Sequence, residues 1–74
     1  MLSFQLTKPH QVTVYCDRVG MATLRRALEA LEAEQASHRH LWGPTMGGNE
    51  LDEKTPFGDT AVSEVIINYQ ESAE

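Results

Sequence analysis

The chain has 74 residues, enough for one domain with a small core and too few for two. Six Lys and Arg stand against eleven Asp and Glu, a net charge of −5, which argues against a nucleic-acid phosphate backbone as ligand and permits a basic protein partner. No apolar run approaches the roughly 18 residues of a membrane span, and residues 1–11 lack a signal-peptide pattern. Cys16 is the only cysteine, so no internal disulfide can form, which fits a reducing, cytoplasmic compartment.

Leu2, Phe4 and Leu6 alternate with Ser3, Gln5 and Thr7, the period of a half-buried strand. Lys8-Pro9-His10-Gln11 interrupts it, and the fixed φ of Pro9 suits a turn. Val12 to Cys16 is β-branched and aromatic, so a second strand completes a hairpin. Asp17 to Gln35 then reads as a helix around which the rest of the chain is organised. Met21, Leu24, Leu28 and Leu31 recur at three- and four-residue spacing and make one apolar stripe, while Asp17 is placed to cap the first turn. Gly20 within that helix costs about 1 kcal/mol relative to alanine. It therefore reads as a point of close approach between helix and sheet, with a helix start at Met21 as the alternative.

Ser37 to Trp42 has the character of a third strand, with His38, His40 and Trp42 on one face and Arg39 and Leu41 on the other. Gly43 to Thr60 is long and irregular, but Met46, Leu51 and Phe57 are apolar beads that should fold it back onto the body. Val62 to Tyr69 is the last strand, apolar on both faces at Val65-Ile66-Ile67, and residues 70–74 read as a frayed tail. The expectation is one α+β domain over residues 1–74 in the order ββαββ. Its four-stranded, mostly antiparallel sheet would carry the helix on one face, with Met21, Leu24, Leu28 and Leu31 against Phe4, Val14 and the Val65–Ile67 segment. One helix covers one sheet face; the Gly43–Thr60 loop or a second copy of the chain should cover the other, and a homodimer is favoured.

Catalytic and metal-binding patterns are thin. His38-x-His40 aims two imidazoles the same way, half of a zinc site, and a third ligand would have to come from His10, Cys16, Glu50 or Asp52. No second motif with ligand spacing supports that, so the pair reads as a polar strand face beside Trp42, with His40 bonded into the following loop. A nucleophilic Cys16 would need a base and a lowered pKa; its apolar strand end reads instead as a buried, inert thiol. Gly47-Gly48-Asn49 lacks the lysine and the strand–helix order of a phosphate loop and reads as a tight turn needing positive φ. The chain is accordingly read as a non-enzyme without a cofactor. The remaining feature is acidic: Glu50, Asp52 and Glu53 lie together with Asp59 just beyond and Lys54 as the only base between them. Such a run is commonly a solvated loop; functionally, with Trp42 beside it, it would be a recognition surface for a basic partner.

Taken together, CDRVGMATLRRALEALEA, HRHLWGPTMGGNELDEK and the apolar last strand resemble the immunity protein 32 family. The likeness lies in a D-x-x-G helix start (Asp17, Gly20), an H-x-H-L strand (His38, His40, Leu41) and a G-G-x-E-L turn (Gly47, Gly48, Glu50, Leu51). It spans Val12 to Ile67. It implies a small α+β protein that protects a bacterium by binding and neutralising a cognate toxin domain. Two other classes stay open: a small homodimeric interaction or regulatory module, and a metal-binding protein built on His38 and His40.

Overall fold

The computed structural model describes residues 1–34 and 37–70. Strands β1 (Leu2–Lys8) and β2 (Gln11–Cys16) form an antiparallel hairpin closed at Pro9-His10. Leu2 lies opposite Cys16, Phe4 opposite Val14 and Leu6 opposite Val12, so the apolar halves of both strands share one face. Helix α1 (Arg18–Glu34) packs on that face. Asp17 caps it as expected: Oδ1 accepts from the Gly20 N–H at 2.9 Å, satisfying one of the free first-turn donors. The proposed helix end at Gln35 and the tail residues 71–74 lie outside the described residues.

Strand β3 (His38–Trp42) pairs antiparallel with β4 (Glu64–Asn68), with Leu41 opposite Val65 and Arg39 opposite Ile67 on the core side. Between them, a single 3-10 turn (Pro44–Met46) ends at Gly47, whose φ of +82° is the left-handed conformation that glycine adopts freely. The positive φ expected of the Gly47-Gly48 pair thus falls on its first member. The segment then runs irregularly to β4, apart from a bridge between Lys54 and Thr60.

The chain is therefore α+β in the order ββαββ, but its strands form two two-stranded sheets where one four-stranded sheet was expected. The long loop is the physical reason. The carbonyls of Leu2 and Phe4 point away from β2, and they accept from Asp52 N (2.8 Å) and Val62 N (2.9 Å). Irregular backbone fills the β1 edge of the hairpin, so no strand pairs there. The loop also supplies core: Leu51 is buried with Leu2, Ala27 and Leu41, and Phe4, Cys16, Leu24, Val65 and Ile67 pack around that cluster. Met46 and Phe57, the other two apolar beads, stay exposed; Phe57 only rests its ring edgewise on Tyr15 at 6.0 Å between centroids.

A second correction concerns the helix stripe. Leu31 is buried and Leu24 half-buried, but Met21 is 46% exposed and Leu28 50%. The buried line is Gly20, Leu24, Ala27 and Leu31. Its two small members explain the rotation, because a helix sinks deepest where its side chains are shortest. A Cβ on Gly20 would stand 1.7 Å from the Met1 carbonyl oxygen, so the close approach read from the sequence is real. With Gly20 and Ala27 seated on the hairpin, Met21 and Leu28 turn to the flank. On the opposite face of the hairpin Ser3 is wholly buried, beside the β1 edge that the loop follows, whereas Ile66 on β4 is half exposed. The loop therefore covers the second face near the hairpin and leaves that of β3 and β4 open.

Candidate functional site: the open face of β3 and β4

Alternation along β3 turns Leu41 into the core and sends His38, His40 and Trp42 outward. The antiparallel register sets Asn68, Ile66 and Glu64 opposite them. The three rings form a ladder: His38 and His40 meet edge to face with centroids 5.1 Å apart, and His40 and Trp42 are 5.3 Å apart with their planes inclined by 32°. Glu64 fixes the upper half of the ladder. Its Oε2 accepts from the Trp42 indole N–H at 2.6 Å and pairs with His40 Nδ1 at 2.8 Å, where the acceptor-only carboxylate assigns the proton to Nδ1. His40 is thus tied to the neighbouring strand and not to the following loop. The indole N–H, and secondarily His40, hold the Glu64 carboxyl below its ordinary value.

The metal reading finds no further support in the geometry. His10 lies in the hairpin turn, Cys16 packs against the core, and among the described residues no three His, Cys, Asp or Glu side chains gather as a ligand set. His38 Nδ1 lies 3.1 Å from the Ser37 hydroxyl.

The acidic loop is spent largely on its own chain. Glu50 accepts from the backbone N–H groups of Trp42 and Asn49, both at 3.1 Å, and these bonds, the Trp42 one foremost, hold its carboxyl below the usual range. Asp52 Oδ2 accepts from Leu2 N at 3.0 Å while its own N–H bonds back to the Leu2 carbonyl. Glu53 receives the backbone N–H and the hydroxyl of Thr45, in space that Gly43 leaves by having no side chain. All three carboxylates act as caps that shape the loop. Asp59 is exposed and joined to Thr55 through its backbone. Of the residues singled out for partner contact, Trp42 and Asp59 are the most available, and Trp42 lies on the ladder face.

Sequence reasoning placed Ile66 in a strand apolar on both faces but did not single out Glu64; only the strand register sets Glu64 opposite Trp42 and Ile66 opposite His40. It also missed a polar cleft of about 320 Å³ between α1 and β3, where Arg26, Arg39 and Glu50 converge above Ala27 and Leu41.

A pH dependence follows from the caps. Folding lowers the pKa of Glu50 and Glu64 from an ordinary value of 4.5, so in acid the unfolded chain takes up protons first. Their stabilisation is complete above about pH 4.5 and is lost as pH falls through the lower folded values. Urea unfolding from neutral pH into the acid range should show a declining midpoint below that point, and Glu50→Gln should flatten the decline. An unchanged slope in Glu50→Gln would remove the assignment.

No family model, curated protein or solved structure matches this chain, so the family likeness stands on the quoted motifs alone.

Proposed function

We propose that this chain captures a protein toxin domain in the cytoplasm and holds it inactive, as an immunity protein does. The observation that carries the reading is the open β3–β4 face, on which Trp42 and Ile66 stand 39% and 50% exposed amid His38, His40 and Glu64. An aromatic anchor on rigid strands, ringed by polar groups already set by hydrogen bonds, is the usual make-up of a binding hot spot and loses little entropy when occupied. The motifs behind the family likeness describe the scaffold under that face: Asp17 caps, Gly20 seats the helix, Leu41 and Leu51 are core, and Gly47 and Glu50 shape the loop. Glu64 sets a carboxylate on the face itself and exposed Asp59 adds another on the loop; such charges speed the capture of a basic partner more than they strengthen it.

The test is co-expression with the neighbouring toxin candidate, scored by growth, together with purified binding. Wild type should rescue growth. Trp42→Ala and Ile66→Lys should each weaken binding by about tenfold or more, with Ile66→Lys leaving the thermal midpoint near wild type. If both variants rescue and bind as wild type does, this face is not the contact surface. If wild type neither rescues growth nor binds any neighbouring gene product, the immunity reading is to be abandoned.

A further inference from the structure

Five large apolar side chains stand along one border of the molecule, each between 45% and 63% exposed: Leu6 on β1, Val12 and Val14 on β2, and Met21 and Leu28 on α1. The strand residues all lie on the helix-bearing face, with Leu6 directly opposite Val12. Met21 and Leu28, two helical turns apart, share one flank of the buried Gly20–Leu24–Ala27–Leu31 line. The other flank, carrying Thr23 and Arg26, lines the cleft against Arg39 and Glu50, so the Met21–Leu28 flank lies toward β2.

This border also ends in an open strand edge. Leu2 and Phe4 turn their carbonyls away from β2, so in an antiparallel ladder their partners Cys16 and Val14 turn theirs away from β1. Among the described residues no backbone group bonds to β2 on that side. The sequence of β2, QVTVYC, holds none of the lysine or proline that ordinarily guards an edge from pairing.

We propose that this border is the interface of a homodimer in which β2 pairs antiparallel with β2 of a second copy. The occupant is a second copy because the border complements itself. With Thr13 on the two-fold axis, Val12 and Val14 of each chain exchange backbone hydrogen bonds with the partner's Val14 and Val12, and the two hairpins become one four-stranded sheet. On the helices, Arg25 and Glu32 flank Leu28 on the same exposed side, one turn before it and one turn after. A two-fold axis reverses the direction of the second helix, so each Arg25 approaches the partner's Glu32; no parallel arrangement would match the signs twice. The Leu6, Val12, Val14, Met21 and Leu28 side chains of both chains then line a shared trough between the helices. This surface is distinct from the Trp42 face, so a dimer would present that face twice, and the test below uses the chain alone.

Mass is measured by light scattering and sedimentation over a dilution series. Wild type should reach twice the 8.3 kDa of one chain. Val14→Lys should stay at the single-chain mass with an unchanged circular dichroism spectrum. Arg25→Glu should weaken the dimer about tenfold, and Arg25→Glu/Glu32→Arg should restore it. Arg25 and Glu32 are both exposed, so this pair of variants decides the matter even if Val14→Lys does not fold. A wild-type mass of 8.3 kDa throughout the series overturns the proposal, as does a dimer that neither Val14→Lys nor Arg25→Glu weakens.

Discussion

Leu41→Ala should remove about 2–5 kcal/mol of folding stability, whereas Leu28→Ala should remove about 1 kcal/mol or less. The two leucines look alike in sequence, and burial separates them. Leu41 is 1% exposed on the core side of β3, opposite Val65 and packed with Leu2, Ala27 and Leu51. Truncating it leaves a void that a β-strand cannot close, because its backbone is held by the β4 ladder. A chain of this length has on the order of 4–11 kcal/mol in total, so the lower part of that range would leave Leu41→Ala largely unfolded at physiological temperature. Leu28 is half exposed and already meets water in one chain alone. Urea unfolding of both variants measures the difference, and dilute protein keeps the proposed dimer out of the comparison. Equal costs would restore Leu28 to the core and undo the rotated helix packing described above.

What the sequence disclosed, and what it withheld, follows from how local each signal is. Alternation within β3 is a property of five consecutive residues, so Leu41 inward and His38, His40 and Trp42 outward were legible. Helix α1 was legible to within a residue at its start, because Asp17 both breaks the pattern and caps it. Its orientation was misjudged, since a hydrophobic stripe weighs residues by transfer energy while packing depth is set by size. Gly20 and Ala27 score poorly as apolar residues yet occupy the most buried line. The sheet arrangement depended on which backbone would fill the edge of β1, and no residue in Leu2–Lys8 says that Asp52 and Val62 will. The acidic loop was legible as charge but not as structure. Glu50, Asp52 and Glu53 each meet a backbone N–H, of Trp42, Leu2 and Thr45 respectively, that only the folded chain brings beside them. Glu64 was invisible for the same reason: its two partners lie on another strand, 22 and 24 residues away.

Gly20→Ala is expected to destabilise the protein although alanine is much the better helix former. On an open helix surface the change would gain about 1 kcal/mol. Here the new methyl would lie 1.7 Å from the Met1 carbonyl oxygen and 2.5 Å from its carbon, with Leu2 Cβ at 3.1 Å. None of these atoms yields cheaply. The Met1 carbonyl accepts the Asp17 N–H at 3.1 Å, so displacing it opens the junction that leads into the helix. Leu2 is 1% exposed, and its N–H and C=O are both engaged by Asp52. Relief therefore requires the whole helix start to lift from β1, which loosens Leu2, Leu24 and Ala27 together. Overpacking of this kind costs about 1–3 kcal/mol beyond the propensity gain, and the branched side chain of Gly20→Val should cost more still. Thermal unfolding of the two variants beside wild type gives the order directly: wild type highest, alanine next, valine lowest. A raised midpoint in Gly20→Ala would mean that the helix start stands clear of β1, and with it the reason for the outward turn of Met21 and Leu28 would be gone.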